Sequence, residues 1–213
     1  MNLANNEVAF NVFGRSACFT DPRFKIERNS YPVITRTAAK GILENIYWHP
    51  QIQWDITRIQ VLHEIKYYGM TVNEVENLKA SKDQPIIIKQ RQQRTMQVLH
   101  DVSYNIYAQM NYVEGYDHSF VTKGIEIFKR RLKNGKYYHQ PFLGVSNFMA
   151  YIDEVTNTTP HPSLVDMRYL GIMLTDIHRR PICNEDGKIV DYIHTPQFDE
   201  VYMENGVLKY NVS

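Results

Sequence analysis

A chain of 213 residues with 43% hydrophobic and 22% charged residues has ample apolar material for a core, which excludes an intrinsically disordered segment. A net charge of +1 excludes a uniformly basic nucleic-acid binder and directs attention to local clusters, one early (Arg15, Arg23, Lys25, Arg28, Arg36, Lys40) and one in a short run from Lys123 to Lys136. Cys18 and Cys183 lack CxxC spacing and signal neither a disulfide framework nor a zinc site, and no run reaches the ~18 apolar residues of a membrane helix, so a soluble protein of the reducing cytoplasm is expected.

The first element in chain order is a half-buried strand over 7–13, where Val8, Phe10 and Val12 alternate. A turn-rich loop with Gly14, Pro22, Asn29 and Pro32 leads to Thr35, an N-cap for a short amphipathic helix that His49-Pro50 brings to an end. At about 100° per residue, Ala38, Ala39, Ile42, Leu43 and Ile46 share one face, while Tyr47 stands about 110° from the centre of that stripe, on the flank of Lys40. The ordinary explanation of such a tyrosine is a ring lying along the helix edge with its hydroxyl in water. Residues 52–68 read as β structure from the alternation of Ile59, Val61, His63, Ile65 and Tyr67. The polar stretch 71–93 reads as a loop around a short apolar knot, Ile86 to Ile88. Val102 to Tyr112 is the clearest strand, with Ser103, Asn105, Tyr107, Gln109 and Asn111 on its polar face. Val121, Ile125, Phe128 and Leu132 mark a second helix that Asn134-Gly135 ends, and 138–143 and 148–152 read as extended.

The order β, α, β, β, α, β predicts an α+β chain of ferredoxin-like, RRM-type arrangement over 1–150. A smaller β-rich region is expected over 151–213, with a two-residue hairpin turn at Asn205-Gly206. The fold pattern is shared by RNA-binding domains, enzymes and metal carriers and decides no function.

The chemistry is read by what is present and what is not. The eight histidines form no HExxH pair, and GxGxxG, GxxxxGK and GxSxG sequences are absent, so no metal and no cofactor are expected. What remains is a phenol, ammonium groups and imidazoles near a basic helix, a set that can cleave RNA through its 2′-hydroxyl. Such cleavage needs a base, a cation against the developing phosphorane charge, and an acid for the 5′-oxygen. A lysine on an exposed helix face is, equally, most often just solvated. The 15 tyrosines fit either an RNA surface or a β-rich core.

Several blocks together carry a resemblance. Gly14-Arg-Ser-Ala-Cys-Phe-Thr-Asp-Pro22, Glu27-Arg-Asn-Ser-Tyr-Pro-Val-Ile-Thr35, the run Ala38 to Pro50 with its Ile-Tyr-Trp motif, and His139-Gln-Pro-Phe-Leu-Gly144 resemble the Cas-five proteins of CRISPR type I-C systems, the "d" subtype. Arg91 to Arg94, Lys123 to Arg131 and Leu170 to Ile177 are similar as well, so the likeness spans most of the chain in order. The resemblance implies a RAMP-type protein with a ferredoxin-like N-terminal domain and a smaller β-rich C-terminal one. It also implies a metal-independent endoribonuclease that cuts the repeat hairpins of precursor crRNA. The mature crRNA and the backbone and large subunits of the type I-C Cascade complex are then its partners, with no membrane involved. The alternative is a weak or inactive subunit that holds the crRNA 5′ handle.

The family's catalytic tyrosine falls on Tyr47 and its lysine on Lys123; the histidine that follows that lysine in the family is Gly124 here. His118, in the loop before the same helix, is the expected substitute and His139 the second. If the missing imidazole limits the rate, Gly124→His is expected to cleave as well as the parent or better. Arg15, Lys25, Arg28, Lys40, Arg94, Lys129, Arg130 and Lys133 are the expected RNA-contacting cations.

Overall fold

The computed structural model describes residues 6–24, 27–75, 91–112, 119–184 and 189–210. Strand β1 (Glu7–Ala17) turns Val8, Phe10 and Val12 into the core, as the alternation predicts, and runs on past Phe13. After the two-residue β2 (Arg28–Asn29), helix α1 (Arg36–Ile46) starts where the Thr35 hydroxyl accepts the backbone N–H of Ala38 at 3.2 Å, and Ala39, Ile42, Leu43 and Ile46 form its buried face.

The expected single β run over 52–68 is two strands, β3 (Ile52–Val61) and the start of β4 (Tyr67–Val75). The expected loop over 71–93 is corrected at both ends. Residues 71–75 belong to β4, and 91–93 open the 22-residue strand β5 (Arg91–Tyr112); the knot at 86–88 lies outside the described residues. The physical reason is that β5 is amphipathic before it is apolar: Met96 and Val98 are buried while Thr95 and Gln97 face out. β5 turns at Asp101, which has φ of 50°, between the part paired with β4 and the part paired with β3.

Helix α2 (Ser119–Lys133) ends as the sequence predicts. Gly135 takes φ of 57°, the N–H of Lys136 donates to Arg131 O at 2.9 Å and that of Gly135 to Leu132 O at 3.1 Å, the paired bonds of a Schellman close. Short β6 (Tyr151–Asp153) follows. The expected extended segment at 138–143 contributes only the isolated bridge Phe142 to Met149.

A long hairpin, β7 (Met167–Cys183) and β8 (Ile189–Glu204), leads to β9 (Val207–Lys209). Asn205 and Gly206, with φ of 50° and 75°, make the two-residue turn between paired Glu204 and Val207.

The strands form a mainly antiparallel sheet in the order β6-β1-β5-β3-β9-β8-β7, with β2 and β4 also paired to β5; the chain is α+β. One face carries Phe10, Trp54, Ile106 and Met110 beneath the two helices, and Phe128 of α2 packs on Trp54 and Phe10 at ring distances of 5.0 and 6.1 Å. The other face is polar and is strapped by 154–161. There the fully buried Asn105 donates to Asn157 O at 2.6 Å, part of satisfying an amide that burial cuts off from water, and Gln60 donates to Thr158 O at 2.6 Å. Among the described residues no helix is long and apolar enough to cross a membrane.

Candidate active site

Tyr47 does not ride on the helix flank. The helix stops at Ile46, and Tyr47 is its C-cap in extended backbone, with φ of −152° and only 6% exposure. Two donors beyond the helix, one on the next strand and one far away in sequence, favour this. The indole Nε1 of Trp54 donates to Tyr47 O at 2.9 Å, and Arg131 Nη1 donates to Ile46 O at 3.0 Å, so carbonyls that another helical turn would have consumed are taken by β3 and α2. A cation at a helix C-terminus is also favoured by the aligned peptide dipoles. The Arg131 guanidinium carbon lies 5.3 Å from the Tyr47 ring centroid, a cation–π distance. Burial pushes the Tyr47 phenol above its ordinary value and the Arg131 charge opposes that shift, so at neutral pH the hydroxyl is a donor.

Arg131 was not singled out among the expected site residues. Its signal is spacing: Lys123, Ile127 and Arg131 follow i, i+4, i+8 and form one ridge of α2. Lys123 is exposed on that ridge, about 12 Å along the axis from Arg131 at about 1.5 Å per residue. No hydrogen bond or ring contact among the described residues joins Lys123 to Tyr47. A substrate phosphate would have to lie between them.

Gly124 faces inward. A Cβ there would sit 2.7 Å from Met110 Sδ and 3.2 Å from Ile52 Cδ1, beneath the ridge and against the first residue of β3. His118 lies outside the described residues, as does Lys25. His139 is exposed, edge-on to Tyr138 at 4.4 Å, and the backbone N–H of Tyr138 donates to Asn45 O at 2.8 Å. The segment bearing His139 is therefore pinned to the last turn of α1, just before Tyr47.

Among the described residues, the expected RNA-contacting cations are spread over α2, β2, β5, β1 and α1. Lys129, Arg130 and Lys133 are exposed together on α2. Half-buried Arg28 on β2 pairs with Met96, close along β5 to half-buried Arg94; Arg15 is exposed on β1, and half-buried Lys40 on α1 borders a small crevice with Arg36 and Asp176.

Residues 7–210 match the family model described as CRISPR-associated protein (Cas_Cas5), under the name Cas_Cas5d. A Thermus thermophilus protein named CRISPR pre-crRNA endoribonuclease Cas5d is 41% identical over 168 residues, 78% of this chain and 71% of that one. A protein of the same name from Mannheimia succiniciproducens is 36% identical over 226 residues, covering 95% of this chain and 94% of its own. Among solved structures, a CRISPR-associated protein superposes with a TM-score of 0.66 at 21% identity, covering 97% of this chain and 92% of that one. A functionally uncharacterized protein from Streptococcus mutans gives 0.65 at 21% with the same coverage; these two likenesses speak to the fold. With all the described elements inside the matched span, the chain belongs to the Cas5 family of CRISPR-associated proteins, in its Cas5d branch.

Proposed function

We propose that this chain is a pre-crRNA endoribonuclease that cuts repeat hairpins without metal and stays with the crRNA as a subunit of a type I-C Cascade complex. The observation that carries the reading is Tyr47, held off its own helix and under the guanidinium of Arg131, which lies on the same ridge of α2 as exposed Lys123. The names of the two relatives support the same activity.

In this reading the RNA phosphate lies over the ridge between Lys123 and Tyr47. The 2′-hydroxyl passes its proton to an imidazole base and attacks the adjacent phosphorus; the P–O5′ bond breaks and the 5′-oxygen takes a proton from Tyr47, giving a 2′,3′-cyclic phosphate and a 5′-hydroxyl end, and solvent then restores both side chains. Lys123 offsets the charge that grows on the phosphorane oxygens, and Tyr47, a neutral phenol that burial moves further from ionisation, donates a hydrogen bond or proton. An imidazole completes the set: His118 remains the first candidate, and the tether of 138 to Asn45 supports His139 as the other. Arg15, Lys25, Arg28, Lys40, Arg94, Lys129, Arg130 and Lys133 supply phosphate contacts.

The antiparallel order β6-β1-β5-β3 with α1 and α2 on one face supports describing the first part of the chain, to about residue 150, as a ferredoxin-like RAMP domain. The β7–β8 hairpin supports treating 151–213 as a smaller β-rich region.

The second reading is a binding subunit that holds the crRNA 5′ handle, and Gly124 in place of the family histidine favours it. One experiment separates the two: single-turnover cleavage of labelled repeat RNA in EDTA by the parent and by Tyr47→Phe. Cutting by the parent, slowed at least about tenfold in the variant with binding kept within a few-fold, supports the nuclease and the role of Tyr47. Tight binding without cutting leaves the handle-holding subunit, and equal cutting by both proteins removes Tyr47 from the mechanism.

A further inference from the structure

On the flank of α2 turned away from Tyr47 there is a groove of roughly 670 Å³, within the ~300–1,000 Å³ span of clefts that hold small molecules. Its floor is apolar, made by Ala9, Leu132, Val155 and the ring of Tyr107. That ring is held flat by the Arg58 guanidinium, whose carbon is 3.7 Å from its centroid. The rim is positive on one side only: Lys129, Arg130 and Lys133 are exposed along α2, while Glu154 stands on the strap opposite. Lys129 and Lys133 lie about 160° around the helix from Arg131, so this is a separate place from the Tyr47 centre.

We propose that this groove is a subsite for one nucleotide of the bound RNA strand, with its phosphate on Lys129, Arg130 and Lys133 and its base on the apolar floor. The inference rests on the RNA-binding reading above and adds where a second part of the strand is held. The three cations are opposite in sign to the single negative charge of a phosphodiester, and Glu154 disfavours a second phosphate across the groove, which fixes the direction: phosphate to the helix, base to the strap. The spine of α2, where Lys123 and Arg130 are exposed, is the route by which the strand passes from the groove to Tyr47. A single nucleotide buried here would set the register in which the next phosphates reach the ridge.

The test is direct binding followed by RNA affinity. Ligand-observed NMR with the intact protein measures the four ribonucleoside 5′-monophosphates against inorganic phosphate, for the parent, for Val155→Trp, which fills the groove, and for the pair Lys129→Ala, Lys133→Ala, which removes rim charge and leaves the floor. Nucleotides are expected to bind at least about tenfold tighter than phosphate, and both variants to lose about tenfold in nucleotide and in repeat-RNA affinity. The charge variant keeps the test decisive if the tryptophan misfolds. Phosphate binding as tightly as nucleotides reduces the groove to a basic surface and overturns the proposal. Unchanged repeat-RNA affinity in folded variants assigns the groove to another occupant, such as a partner protein, and overturns it too. Neither readout depends on cleavage, so failure here is distinct from failure of the nuclease reading.

Discussion

Placing a histidine at 124 tests the packing of α2 more than it tests catalysis. In the helix interior a glycine is worth roughly 0.5–1 kcal/mol less than alanine, so Gly124→Ala gains about that much in propensity. It loses a comparable amount, because a Cβ 2.7 Å from Met110 Sδ forces a fully buried side chain to move. Histidine keeps little of the propensity gain and adds a ring to a seam closed by Met110 and Ile52. Overpacking of about 1–3 kcal/mol and about 1–3 kcal/mol for an imidazole nitrogen buried without a partner give a net loss of roughly 2–5 kcal/mol. Equilibrium urea unfolding followed by circular dichroism should therefore rank the parent and Gly124→Ala together and Gly124→His well below. Adding Met110→Ala makes room, so the double variant should lose at least about 1 kcal/mol less than the sum of the single losses. A Gly124→His protein as stable as the parent, with no coupling to Met110, would refute the inward-facing geometry. The expectation from sequence, that a histidine here restores an acid–base group, is tested by the same variant, with the added expectation that the α2 seam is disturbed as well.

Lys123→Ala should slow single-turnover cleavage roughly 100-fold at saturating protein while binding changes little, since a cation on a developing phosphorane acts mainly in the transition state; a loss of affinity alone would make Lys123 a docking residue. Changing Lys129, Arg130 and Lys133 together to alanine should flatten the log-log salt dependence of repeat-RNA binding by roughly two units, and an unaltered slope would mean that RNA passes elsewhere. Burial holds the phenol of Tyr31 up at about 12, and Asp21 adds to the effect. Its folded value exceeds the unfolded one of about 10, so its contribution to stability is complete below about pH 10 and is lost as pH rises toward 12. Urea midpoints should fall from about pH 9 to about pH 11, more in the parent than in Tyr31→Phe, and equal profiles would show that this ring is not sequestered.

Local patterns were legible where neighbours in sequence decide the outcome. The Thr35 cap, the Gly135 stop and the Asn205-Gly206 turn depend on a few adjacent residues, and the structure has all three. Tyr47 was readable as a notable residue but not in its setting. The expected helix runs two residues too far, to the edge of His49-Pro50, because Trp54 and Arg131 reach its end only after β3 and α2 have packed. The Gln/Arg-rich start of β5 reads as loop for a related reason: its partner β4 lies across an intervening segment, and only the pairing makes a strand of it. Arg131 went unnoticed in a run of cations because nothing in composition distinguishes a stacked guanidinium from a solvated one.

The central position of β5 has a consequence for synthesis. β1, β2 and β4 pair with β5, and β3 with β5 and β9; none of these first four strands pairs with another of the four. A nascent chain that has emerged only as far as residue 90 thus holds four strands with nothing to hydrogen-bond to, and Phe10, Trp54, Ile56 and Ile59 have no finished sheet to cover. At about 5–20 residues per second, the interval between the emergence of β1 and the completion of β5 is roughly 5–20 s. Throughout that window the apolar faces of those strands are open to aggregation and to chaperones. Once residue 112 is free of the ribosome, one strand can template the others, and a chain ended before β5 is expected to lack the strand that β1, β2, β3 and β4 pair with.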